Sequence, residues 1–228
     1  MDFRARVYSP LQDAAVWLGA WLLGKASYDE LTEVFIELFG SVPSTEFLRD
    51  LRTHAPDETP ILRLALSGPG DPHGLVEDAA ILCGTIVLSP VLDSQGVTVA
   101  WNWREHHDPI HLPFHSPGDA SRMLTEATIH AAQIIEQNGG MKRNNLSGIR
   151  ANIGKLNEFY DAPGLPAGTD HRAIKLFSQA NQLAAILETM HVHVQDHSFD
   201  PQLIGLWKHL RRARITGVDC ALREFARE

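Results

Sequence analysis

Two cysteines in 228 residues, Cys83 and Cys220, are too few for a disulfide framework. Both sit in apolar stretches, where a free thiol behaves as a small hydrophobe, so a reducing cytoplasm is the expected location. Long hydrophobic runs are missing as well. The most apolar stretch, residues 14–23, would span about 15 Å as a helix, half of a bilayer core, and reads as a buried helix with no membrane partner. The opening Met-Asp-Phe-Arg-Ala-Arg is not followed by a secretory core and cleavage site, so no leader is expected. Positive charge is in deficit: 20 Lys and Arg face 28 Asp and Glu, a formal net charge of −8, which argues against nucleic acid as a partner. Neither a Gly-x-Ser-x-Gly elbow nor an internal repeat occurs, so nucleophilic hydrolysis has no anchor and a repeat fold is excluded.

What is present suits a globular protein. Hydrophobic residues make up 44% and charged residues 21%, which excludes wholesale disorder. At 25.3 kDa, folding would reduce the accessible surface from about 37,000 to about 10,000 Å². The periodicity predicts helices at both ends. Residues 10–23 form one, ended by Gly24, and Ser27-Tyr-Asp-Glu30 has capping-box spacing and opens the next, closed by Gly40. Ser44 caps a shorter one. In the C-terminal half, Ser116-Pro-Gly-Asp119 starts a helix running to about residue 137, and three more amphipathic helices follow. The last two are antiparallel neighbours by loop length.

The middle is strand-like. Residues 61–67, 85–90 and 97–103 have period-two or β-rich character, and the short linker 93–96 suits a hairpin between the last two. Residues 75–83 read as a short helix before the second strand. The expected fold is α+β, a small, at least partly antiparallel sheet of three or slightly more strands flanked by helices from both ends. The domain expectation is a single unit, 1–228, the alternative being an α+β domain, 1–140, and a helical domain, 141–228.

Three stretches carry candidate chemistry. The loop Gly68-Pro-Gly-Asp-Pro-His-Gly74 follows a strand, the setting of a phosphate cradle, with Gly68, Gly70, Asp71, His73 and Gly74 as its ligand-binding candidates. Pro69 and Pro72 each delete a backbone donor, and no Lys-Ser or Lys-Thr follows. The plainer reading is a turn with Gly at positive φ and Asp71 bonded to local backbone. The chain Arg63-Leu-Ala-Leu-Ser-Gly-Pro-Gly-Asp-Pro-His-Gly-Leu75 resembles a segment shared by uncharacterised actinobacterial proteins. The resemblance covers about a dozen residues (Arg-Leu, Pro-Gly-Asp, Gly-Leu); it implies a bacterial cytoplasmic protein and carries over no active site.

The other two stretches are histidine clusters among 12 histidines. His106 and His107, between Glu105 and Asp108, offer ligands for zinc or a similar divalent metal. They would point to opposite faces of a strand, and Pro109 and Pro113 break helical pairing toward His111 and His115. His193, Asp196 and His197 stand at i, i+3 and i+4 and would form a metal tripod if the helix persists. That spacing resembles the His-x-x-Glu-His motif of inverzincin metalloproteases, with Asp196 where the general base would be, and the shorter Asp leaves that role in doubt. The plainer reading is histidines at a helix C-terminus. Lys208, Arg211, Arg212 and Arg214 form a basic stretch, read as a solvated face or one that pairs with acidic neighbours.

Strong apolar helix faces without a complete catalytic pattern give the leading functional expectation: a non-enzymatic cytoplasmic protein acting by self-association, as a homodimer. The alternatives are a metal-dependent hydrolase using the histidine clusters, and a small-molecule or phosphate-binding module at the 68–74 loop.

Overall fold

A computed structural model describes residues 8–94, 98–108, 110, 112–137, 146–193 and 200–227. These form seven helices and four strands: α1 Leu11–Leu22, α2 Tyr28–Phe39, α3 Thr45–His54, β1 Arg63–Leu66, β2 Ala79–Cys83, β3 Ile86–Leu92, β4 Thr98–Glu105, α4 Pro117–Gln137, α5 Leu146–Asp161, α6 His171–His193 and α7 Asp200–Phe225. The fold is α+β. The sheet is fully antiparallel in the order β1-β2-β3-β4, with a register shift at Val91/Leu92.

Local chemistry sets the helix ends. The Ser27 hydroxyl accepts from the Glu30 amide while the Glu30 carboxylate accepts from the Ser27 amide, completing a capping box, and Gly40 ends α2 at φ 69°. Ser44 caps α3 by accepting from the Phe47 amide at 3.1 Å, and Ser116 caps α4 by accepting from the Asp119 amide at 3.1 Å. Each such cap is worth about 1 kcal/mol.

Residues 79–83 are a strand, not the end of a helix. Leu64 pairs with Ile81 on one side, and Leu82 pairs with Val87 on the other. A short continuous apolar run cannot be assigned by periodicity alone. Here it is a central strand buried on both faces: Ile81 and Cys83 join the main core with Leu64, Leu66 and Leu88, while Ala80 and Leu82 pack with Ala65 and Val87 beneath Leu75, Ile110 and Leu112. Two-sided burial erases the alternation that would have betrayed it.

The main core lies between this sheet and the N-terminal helices. Trp101 meets Phe35, Phe39 and Phe47 at ring-centroid distances of 6.1, 5.4 and 5.0 Å, and Trp103 meets Phe47 at 5.5 Å. A second core is made by α4, α5, α6 and the first half of α7, around Leu124, Tyr160, Leu183 and Trp207. The second half of α7 leaves that core and enters the main one through Ile215, Val218, Ala221, Leu222 and Phe225. One helix therefore serves both cores, and it does so by close approach. A Cβ on Gly19 of α1 would lie 2.3 Å from the Leu222 side chain, and one on Gly217 would lie 2.5 Å from the Phe177 ring of α6.

Candidate functional site

Where α7 passes from one core to the other it carries its basic stretch, and three of those four side chains turn inward. Arg211 is 4% and Arg214 1% exposed, so the expectation of a solvated basic face is overturned. Arg214 Nη1 donates to Gln12 Oε1 of α1 at 2.6 Å and to Asn181 Oδ1 of α6 at 2.9 Å. Asp13 lies beside it. Its carboxylate accepts from Gln12 Nε2 at 3.0 Å and from the Tyr8 hydroxyl at 3.2 Å. Burial pushes the Asp13 carboxyl up to about 6 against the opposing pull of the Gln12 hydrogen bond and the Arg214 charge. This seam ties α1, α6 and α7 together, because Arg214 Nη1 of α7 is satisfied by Gln12 of α1 and Asn181 of α6 at once.

Arg212 and Arg211 turn the other way, to the glycine-proline loop. Arg212 Nε and Nη2 donate to the two oxygens of Asp71, each at 3.0 Å, the planar two-point fit that guanidinium makes with carboxylate. Burial opposes the charge on Asp71, but the Arg212 hydrogen bonds and charge outweigh it and hold the carboxyl below its ordinary value. Arg211 Nη2 donates to the Pro69 carbonyl at 3.0 Å. A Cβ on Gly68 would lie 2.7 Å from Arg211 Nη1, so Gly68 makes room for a guanidinium. The loop itself is a turn: the Asp71 amide donates to the Gly68 carbonyl at 3.0 Å, and Gly70 and Gly74 have φ 78° and 82°. Asp71 thus bonds α7 through its side chain and not the local backbone. His73 is buried at 3% exposure.

Two further histidines face this clamp. His115 stands just before α4, and His209 is on α7 one residue after Lys208. His115 Nε2 and His209 Nδ1 are buried without a hydrogen-bond partner. Burial first, then the charge of Arg212, holds both imidazoles below their ordinary titration range, and Lys208 adds to the effect at His209. Lys208 and Arg212 are one helical turn apart, so with His209 they share a face. The nearby acids are already engaged. Asp119 accepts from Ser116 at 2.7 Å and from Arg122 at 3.4 Å, and Glu126 accepts from Arg122 at 3.3 Å. The arrangement offers hydrogen-bond donors and positive charge at one place.

Of the loop candidates, Gly68 and Asp71 are therefore brought against Arg211 and Arg212 of α7, His73 is buried, and Gly70 and Gly74 hold positive φ in the loop. The other candidates are elsewhere. His106 Nδ1 is 3.3 Å from Arg104 Nη1, and Arg104 is held by Glu77 at 3.1 and 2.6 Å. His107 is exposed beside Glu105 at 3.4 Å. His193 ends α6, whereas Asp196 and His197 lie outside the described residues. Among the described residues, no group of three or more His, Cys, Asp or Glu is placed to hold a metal, and no helix is long and apolar enough to cross a membrane. His209 escaped the sequence reading. Its only signal was its place between Lys208 and Arg212 on a helix face, which is weak until the loop and His115 are seen opposite.

The family follows from the chain as a whole. Residues 12–110 match the N-terminal domain of the Rv1486c-like protein and residues 118–215 match its C-terminal domain. The chain belongs to the Rv1486c-like protein family. The segment 63–75 that carried the earlier resemblance lies inside the first match. No curated protein and no solved structure matches the chain. The clamp joins the two matched stretches of this Rv1486c-like protein: Asp71 comes from the first and Arg212 from the second.

Proposed function

We propose that the protein is a binding module for an anionic small molecule, held where the 68–74 loop, His115 and the Lys208–Arg212 turn of α7 meet. The observation that carries this reading is the pair of buried, unpartnered imidazole nitrogens, His115 Nε2 and His209 Nδ1, beside Lys208 and Arg212. Buried polar atoms are nearly always paired in a finished fold, so an orphaned pair next to cations suits a ligand's oxygens. The loop's role is to orient Arg212 through Asp71, while its own backbone is not the cradle. The test is calorimetric titration of the whole chain with inorganic phosphate, sulfate and acetate. Saturable binding that weakens on Lys208→Ala supports the reading, and no heat with any of the three at millimolar concentration removes it.

A second reading, self-association as a homodimer, is favoured by the open end of the sheet. β4 is last in the strand order, and Val91, Leu92 and Val99 at that end are 44%, 55% and 62% exposed. An eight-residue edge strand with apolar neighbours is a template for pairing. Light scattering at micromolar concentration tests it: a dimer that Val99→Lys dissociates supports it, and a monomer excludes it.

A further inference from the structure

We infer that the site is specific for a tetrahedral dianion, the terminal group of a phosphate monoester, and that His115 and His209 take up protons when it binds. This rests on the anion-binding reading above and adds to it the ligand's shape and the coupling. The shape follows from which donors are left. The two-point face of Arg212 that would grip a planar carboxylate is filled by Asp71, through Nε and Nη2 at 3.0 Å each. Arg211 is turned away to the Pro69 carbonyl. Beside that filled fork, His115 Nε2 and His209 Nδ1 are without a hydrogen-bond partner, and Lys208 stands one helical turn before Arg212; an imidazole and an ammonium each meet an oxygen at a single point. A phosphoryl group has three oxygens pointing in different directions and suits dispersed donors, whereas a carboxylate is best matched by a fork. The N-terminus of α4 is not needed, since Ser116 and Asp119 already cap it.

The coupling follows from the histidines' surroundings. The charged and titratable groups around them are Asp71 and His73 on the loop, Asp119, Arg122 and Glu126 on α4, and Lys208, Arg211 and Arg212 on α7. Asp71, Asp119 and Glu126 each have a cationic partner among these. Burial first and the Arg212 charge second shift both imidazoles toward the neutral form. A neutral imidazole donates from one nitrogen, and an imidazolium donates from both. Placing two negative charges beside His115 Nε2 and His209 Nδ1 favours the imidazolium. By reciprocity, protonation of the imidazoles strengthens binding of the dianion.

Sulfate is the decisive probe, because it remains a dianion across the neutral range and any proton taken up belongs to the protein. The whole chain is titrated with sulfate at pH 7.5 in two buffers of different ionisation enthalpy. The expected result is a buffer-dependent heat that reports net proton uptake, with affinity falling by up to about tenfold per pH unit for each coupled proton as the pH rises. Acetate is expected to bind at least about tenfold more weakly, the equivalent of one lost charged contact. His115→Gln and His209→Gln are each expected to keep sulfate binding and to lose a share of the uptake. The unmodified chain decides the matter even if a variant misfolds. Sulfate bound without proton uptake, or acetate bound as tightly as sulfate, overturns this inference and leaves the anion site standing. No binding of sulfate, phosphate or acetate overturns both.

Discussion

Arg212 on α7 holds Asp71 in the 68–74 loop by two hydrogen bonds of 3.0 Å, across 141 residues of chain. The pair ties the sheet's first connection to the helical half. Asp71→Asn keeps the size and removes the charge, and the expected loss is about 2 kcal/mol, the range for hydrogen bonds to a charged partner. Because Asp71's carboxyl is held below its ordinary value by Arg212, its contribution is present above the unfolded carboxyl pKa of about 4 and is lost as pH falls through the folded value. Urea midpoints of the two proteins should therefore converge below pH 4.

Asp13 should act in the opposite sense. Its carboxyl is raised to about 6 by burial, so the folded protein binds its proton more tightly than the unfolded chain does. Its contribution is full below about pH 4 and fades as pH rises through 6. Asp13→Asn should flatten the stability profile across that window, read as urea midpoints at pH 4, 5, 6 and 7. An unchanged slope would show that the Arg214 charge, and not burial, governs this carboxyl.

The contact between α6 and α7 depends on Gly217, where a Cβ would lie 2.5 Å from Phe177 Cε1. Alanine improves helix propensity by up to about 1 kcal/mol, but overpacking costs about 1–3 kcal/mol. Gly217→Ala should lower stability, and Phe177→Leu in that background should recover part of the loss. Additive effects in the double-mutant cycle would count against direct contact.

Both thiols should be sluggish in the native protein. Burial pushes Cys83 and Cys220 up to about 11, helped at Cys220 by Asp170. A disulfide-exchange reagent at pH 7.5 should label neither within the time in which it labels both in urea, since the thiolate is the reactive form.

The helix caps, the helix faces and the β3–β4 hairpin were legible because each rests on local spacing: Ser27 with Glu30, Ser44 with Phe47, Ser116 with Asp119. β2 was not, since the run Ala79–Cys83 is buried on both faces and loses the alternation that marks an exposed strand. In the 68–74 loop the turn reading holds for Gly70 and Gly74, which have positive φ, whereas Gly68 leaves room for Arg211, a contact that local spacing does not encode. Of the two readings of the basic stretch, the solvated face fails for Arg211 and Arg214, while pairing with an acid holds for Arg212 and Asp71. A run of arginines on an amphipathic helix looks solvated until partners as distant as Gln12, Asp71 and Asn181 are known, and nothing local encodes those distances.

The crossing of α7 between the two cores has a consequence for how the chain is made. Gln12 must wait for Arg214, 202 residues later, and Gly19 for Leu222. While the second stretch is synthesised, the part of α1 that meets α7 lacks that cover. Such long-range closure slows folding and leaves apolar surface open to aggregation. The N-terminal core is complete only when the far end of α7, residues 215–225, is in place.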